Sequence, residues 1–193
     1  MYKEILSLLA IGLTFAAFIP YIRSIQQGQT KPHVFSWIIW GTTTFTVFLA
    51  QMADKGGVGA WPTGLSGIIT LYIALLAYQK KSDVSITLLD WIFLICSLSA
   101  LPLWYVSADP AWAVIILTTV DLLGFGPTFR KAWYHPREEN LTFYAIMTVR
   151  NTLAAIALEH YSITTLLFPI SIALACIAFI VMVFISRKIS PSA

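Results

Sequence analysis

The sequence predicts an all-α membrane protein of seven transmembrane helices, and three observations predict it. Of 193 residues, 58% are hydrophobic and only 11% are charged, whereas a soluble domain carries roughly 25% charged residues. Too little polar surface remains to cover a water-soluble globule, so lipid must be the solvent for most of the chain. The apolar residues also gather into seven runs, each about long enough to cross a hydrocarbon core of ~30 Å as a helix. Finally, landmarks in the first three runs recur in the last three at one constant spacing. The expected architecture is two parallel three-helix bundles joined by a linker helix.

The runs lie at 5–22, 34–52, 58–78, 86–106, 111–129, 141–158 and 163–185. Helices are expected rather than barrel strands, because lipid offers no partner to an open backbone group and the runs lack strand alternation. Breakers separate them: Gly28, Pro32, Gly56-Gly57, Asp109-Pro110 and Pro136. The first run has Glu4 beside Lys3, no small-x-small cleavage site and a second span after it, so it reads as a true helix rather than a signal peptide. Cys96 and Cys176 fall inside apolar runs without metal-ligand spacing and are expected to be packing residues.

The net charge of +3 comes from basic residues set in ones and twos beside the apolar runs. That pattern orients a membrane protein and does not build a nucleic-acid surface, so no nucleic-acid partner is expected. Arg23, Lys31, Lys80, Lys81, Arg130, Lys131, Arg137, Arg187 and Lys188 fall on one side, against Lys3 and Lys55 on the other. The richer side is expected to be cytoplasmic, which places the amino terminus outside and the carboxyl terminus inside.

Sliding the chain over itself by 107 residues puts Pro20 on Pro127, Arg23 on Arg130, Trp61 on Phe168 and Pro62 on Pro169. It also puts Lys80-Lys81 on Arg187-Lys188. The chain therefore divides into a first repeat (1–82), a linker helix (83–108) and a second repeat (109–193). An odd linker leaves both repeats with the same orientation, which makes the repeat a parallel one.

The segments Phe18-Ile-Pro-Tyr-Ile-Arg23 and Gly124-Phe-Gly-Pro-Thr-Phe-Arg130, each running into a basic loop, together with the three-one-three order, resemble the SWEET and PQ-loop transporters. The resemblance implies the fold and a transport function, with Pro20 and Pro127 as hinges, since a proline removes a helical hydrogen bond and kinks the helix. The sequence departs from the pattern as well. The glutamine of the PQ motif is Tyr21 in one repeat and Thr128 in the other, and no asparagine stands in the third helix of either. A sugar substrate does not follow.

Charged side chains inside a span normally face a cavity or a partner. Asp121 and Arg150 lie near the middle of the fifth and sixth runs, with Asn151 next to Arg150; the same depth in the first repeat holds Thr14, Thr43 and Thr44. Two readings are open: the charges pair and cross-link helices five and six, or they line a substrate pathway on which Asp121 exchanges a proton. Asp90 lies nearer a membrane face and is a weaker candidate. Trp37, Trp40 and Thr44 share one face of the second helix, and Tyr144, Met147 and Asn151 the matching face of the sixth. Rings on such a face can stack on a flat solute or sit in the interfacial belt. Thr63, Ser66 and Thr70 form a polar stripe on the third helix, which can line a cavity or bond to its own backbone.

His33, His135 and His160 lie in or beside loops, and no nucleophile elbow, phosphate loop or paired carboxylate motif is present, so neither an enzyme nor a bound cofactor or metal is expected. The last run has no lysine for a Schiff base. The reading that follows is an alternating-access transporter of a small polar solute. Its binding residues are Asp121, Arg150, Asn151, Trp40, Trp37, Thr44, Thr14 and Ser66. A seven-helix receptor or sensor without transport is the alternative. Solute and lipid are the expected partners, with a homo-oligomer left open. Single cysteines at Gly56 and Ser192 are expected to react with an impermeant maleimide from opposite sides of intact cells. Labelling of both from outside would overturn the seven-span topology.

Overall fold

Helix boundaries follow the breakers in the sequence. The computed structural model describes residues 1–29, 32, 34–80, 88–134, 136 and 141–189, without the side chains at 90, 127, 128, 130 and 131. Within these, all regular structure is helical: α1 (Tyr2–Gln26), α2 (Val34–Ala53), a 3-10 turn (Gly57–Ala60), α3 (Trp61–Gln79), α4 (Leu88–Ser107), α5 (Pro110–Tyr134), α6 (Leu141–Ala157) and α7 (Ile163–Ile189). Gly28 adopts φ +72°, a left-handed conformation that ends α1 and costs glycine little. Asp109 caps α5 by accepting from the Ala111 N–H at 2.9 Å, with Pro110 at the first helical position. Ser162 caps α7 through the Thr165 N–H at 3.2 Å, and the Thr165 hydroxyl accepts from the Ser162 N–H at 3.0 Å.

The observed helices differ from the expected runs at their ends. α5 and α7 continue to Tyr134 and Ile189 because no glycine or proline interrupts them at 129 or 185. The third run opens as a 3-10 turn, since Pro62 has no N–H to give and falls in the first turn of α3. The basic residues Lys31, Lys81 and Arg137, with His33 and His135, lie outside the described residues. The side chains of Asp90, Pro127, Arg130 and Lys131 do too.

Four helical stretches are long and apolar enough to cross a membrane by length and composition: Tyr2–Gln26, Val34–Ala53, Gly57–Gln79 and Ile163–Ile189. Shorter apolar helices span Trp91–Ser107, Pro110–Gly126 and Leu141–Ala157. The distribution of side chains is compatible with insertion. Leu8, Ile95, Leu123 and Leu174 point outward, whereas Thr14, Thr43, Thr44, Asp121, Arg150 and Asn151 are buried. An apolar exterior around a polar centre inverts the usual soluble pattern.

Packing follows a repeated plan. α3 packs against both α1 and α2, and α7 packs against both α5 and α6. The two groups meet through α1 against α6 and α2 against α5, while α4 lies on α5 and α2. The α2–α3 seam depends on small residues: a Cβ on Gly67 would lie 2.8 Å from the Phe45 nitrogen.

The end of the bundle where α1 begins is interlocked. Lys3 Nζ donates to the Leu158 carbonyl at 2.5 Å and Ser7 Oγ to the Val58 carbonyl at 2.6 Å. The Glu159 N–H donates to the Gly56 carbonyl at 3.0 Å, Ser162 Oγ donates to Asp54 Oδ2, and Gln51 Nε2 reaches the Thr165 carbonyl at 2.8 Å. At Gly59 the backbone of Ala157 and Leu158 occupies the space a Cβ would need. Gly56 is a poor place for a labelling cysteine, because its Cβ would lie 2.7 Å from the Gln51 carbonyl oxygen; exposed Lys55 serves instead.

Gly59→Ala is therefore expected to destabilise by about 1–3 kcal/mol through overpacking. Gly126→Ala, where a Cβ meets nothing within 4 Å, is expected to be neutral or to stabilise by up to ~1 kcal/mol. Melting in detergent checks the pair, and equal melting of the two variants would sink this account of the interlock.

Candidate functional site

Five polar side chains, Thr14, Thr43, Asp121, Arg150 and Asn151, meet at mid-helix depth, and each is held by a partner on another element or by its own helix. Arg150, 1% exposed, is held on three sides. Its Nε donates to Thr14 Oγ1 of α1 at 3.2 Å, Nη1 to Asn151 Oδ1 at 2.6 Å, and Nη2 to the Pro62 carbonyl at the start of α3. Thr14 can accept because its own proton goes to the Ala10 carbonyl at 2.9 Å. Asn151 Nδ2 is tied to the Met147 carbonyl at 2.8 Å, which orients Oδ1 toward the guanidinium.

Asp121, 7% exposed, is held separately. Its Oδ1 accepts from the Thr43 hydroxyl of α2 at 2.8 Å. Asp121 and Arg150 form no ion pair, with each other or with any described residue. Of the two readings left open, the one in which the charges pair and cross-link helices five and six is not what the structure has: α5 and α6 lie on either side of α7, and each charge faces the opposite group of helices.

These two sets of bonds are related by the repeat. Thr14 and Asp121 are 107 residues apart, and so are Thr43 and Arg150. Thr43 to Asp121 joins α2 to α5, and Arg150 to Thr14 joins α6 to α1. The same contact is thus made twice, once around an anion and once around a cation.

Between them lies a cavity of about 790 Å³, within the range of small-molecule sites. Its lining includes Trp37, Trp40, Thr44, Ser66, Asp121, Arg150 and Asn151, together with Pro20. Thr14 does not line it and instead positions Arg150. Many lining residues form pairs at the 107-residue spacing: Ala17 with Gly124, Phe18 with Phe125, Trp37 with Tyr144, Trp40 with Met147, and Thr44 with Asn151. Of the polar stripe on α3, Ser66 and Thr70 reach the cavity, with Thr70 bonded to the Ser66 carbonyl at 2.8 Å; Thr63 is buried and does not. No described residue of α4 lines the cavity.

The wall is more aromatic than the sequence indicated. Tyr21 stacks on Trp37 with centroids 5.0 Å apart, and Trp37 meets Trp40 edge-on at 5.9 Å. Phe143 meets Tyr144 edge-on at 5.6 Å. Sequence reasoning missed Phe18, Tyr21, Phe125 and Phe143 as lining residues, although Phe18 and Phe125 stand at equivalent positions of the repeat. Gly124 leaves room for the Trp40 indole, since a Cβ there would lie 2.9 Å from Nε1. Gly126 faces open space. Among the described residues no group of three His, Cys, Asp or Glu side chains is placed to hold a metal ion.

Asp121→Asn and Arg150→Gln share no partner, so their effects on melting are expected to add within about 0.5 kcal/mol. Arg150→Gln alone should cost on the order of 1–3 kcal/mol, because it strands oxygens of Thr14, Asn151 and Pro62. A double-mutant cycle measures the coupling, and a coupling of several kcal/mol would reinstate a direct pair.

Comparison of the chain with protein-family models, with curated proteins and with solved structures finds no match, and the cavity's own geometry therefore carries the functional reading.

Proposed function

We propose that this chain is a membrane transporter of a small polar solute that works by alternating access. In this reading all seven α-helices cross the membrane, with the amino terminus outside, as two parallel three-helix repeats joined by α4. The observation that carries it is the polar, aromatic-walled cavity at the centre of an apolar bundle, between the two groups of helices. Binding near mid-depth between repeats is how repeat-built transporters hold their solutes.

Three further features support the reading. The helix contacts and the hydrogen bonds at Asp121 and Arg150 both map onto themselves under the 107-residue spacing. The described basic side chains Arg23, Lys80, Arg187 and Lys188 sit at the end where α1, α3 and α7 finish, opposite Lys3 and Lys55. The cavity lining runs from Arg150 and Asn151 down to Ser24, Trp37 and Phe143 near that same end, while the opposite end is closed by its interlock. This arrangement is what an inward-facing state would have. Opening the other way requires the 54–58 and 158–165 segments to part, with Pro20 and Pro127 as bends about which the repeats rock. Asp121 is the group that couples the cycle to protons, since a carboxylate at this depth can change charge between states.

The SWEET and PQ-loop resemblance rests on the segments around Pro20 and Pro127 and on this repeat plan. Tyr21, which stands at the motif's glutamine position, is a wall residue here.

The test is cysteine cross-linking in proteoliposomes. A disulfide between Asp54→Cys and Ser162→Cys should abolish solute flux, with reduction restoring it, while ligand binding in detergent survives. Undiminished flux through the cross-linked protein would refute alternating access. Binding without flux in the uncross-linked parent would point to the receptor reading instead.

A further inference from the structure

The two buried charges do not neutralise each other, and they stand on different flanks of one cavity. The α1–α6–α3 flank carries the guanidinium of Arg150, whose partners Thr14, Asn151 and Pro62 are all uncharged. The α2–α5 flank carries the carboxylate of Asp121, whose protein partner is the Thr43 hydroxyl. Of the five N–H donors on a guanidinium, three are engaged, which leaves one on each terminal nitrogen. Those two N–H groups are the ones Arg150 has left to give to a carboxylate in the cavity it lines. Asp121 Oδ2 accepts no hydrogen bond from a described residue, and Asp121 lines the cavity.

We propose that the solute of this cavity is a zwitterion with a flat apolar body. Its carboxylate lies on Arg150, its ammonium on Asp121, and its body lies against the rings of Tyr21, Trp37 and Trp40. The inference rests on the transport reading only for what happens after binding. A solute with one charge would satisfy one flank and leave the other buried charge without a counter-ion; a neutral solute would leave both. A zwitterion supplies both counter-ions and brings no net charge into the apolar surround. The stacked Tyr21–Trp37 pair and the edge-on Trp37–Trp40 pair offer ring faces and edges to a planar group.

The experiment uses the purified full chain in detergent at neutral pH with three probes of one shape: phenylalanine, 2-phenylethylamine, which lacks the carboxylate, and 3-phenylpropionate, which lacks the amine. Phenylalanine is expected to bind at least about tenfold more tightly than either analogue. In Asp121→Asn its advantage over 3-phenylpropionate should collapse to about twofold or less, while its advantage over 2-phenylethylamine persists. Arg150→Gln should show the reverse, and if that variant does not fold, the Asp121→Asn ranking alone decides. Equal binding of all three probes, no binding of phenylalanine, or an unchanged ranking in Asp121→Asn would overturn the proposal. Flux is measured separately in proteoliposomes, with phenylalanine and with a neutral hexose as solutes. The expected ranking without flux removes transport and upholds the ligand class; hexose flux without phenylalanine binding removes the ligand class and upholds transport.

Discussion

A guanidinium held at 1% exposure must have every bond it can get, because nothing around it in an apolar bundle will solvate it. Arg150 obtains its bonds from α1, from its own helix and from the first turn of α3. Those three elements are therefore fixed relative to one another at mid-depth. The consequences spread outward: Pro62 must begin α3 where its carbonyl reaches the guanidinium, and Thr14 must turn its proton back to Ala10 to leave a lone pair free. The cavity sits beside this knot because a charged group buried among helices prevents the close apolar packing seen at Gly41 and Gly67.

The two halves share a plan but not an electrostatic character. α3 stands between α1 and α2 as α7 stands between α5 and α6, and paired lining residues such as Phe18 with Phe125 keep the wall alike on both sides. The departures are concentrated at the centre, where Thr14 and Thr43 in one half answer Asp121 and Arg150 in the other. A hydroxyl can both give and accept, so threonine serves either charge: Thr43 donates to the carboxylate and Thr14 accepts from the guanidinium. This lets the same backbone geometry hold opposite charges without a change of fold.

Much of this was legible in the sequence. Run length and breakers located the helices because helix length and hydropathy are local properties, and the spacing of Trp37 with Trp40 and of Tyr144 with Met147 grouped residues on one face each, which the structure turns toward the cavity. The constant spacing indicated which positions share a depth. It could not tell how helices are ordered around the bundle, so two charges at similar depth looked like neighbours when they belong to opposite flanks. Thr14 looked like a lining residue for the same reason, since depth was known and direction was not. The interlock at the other end was hidden more completely: Gly56 and Gly57 read only as breakers, while the Gly56 carbonyl accepts from the Glu159 N–H and Gly59, which the sequence did not single out, lets the backbone of Ala157 and Leu158 approach. Tyr21 was noted as a departure from a motif, and only the stacked geometry shows it as part of the wall.

The paired hydrogen bonds carry a consequence for how such a protein can be assembled at all. If each three-helix unit were a separate, identical copy, positions 14 and 121 would have to hold the same side chain, as would 43 and 150. Each flank would then repeat the other, and the chamber could offer two anions, two cations or two copies of one acid–base pair, but never a negative wall facing a positive one. Joining the units into one chain lifts that constraint, because each position can diverge alone. The polarity of this chamber is thus a property of covalent continuity, and α4, none of whose described residues lines the cavity, is the element that makes it attainable.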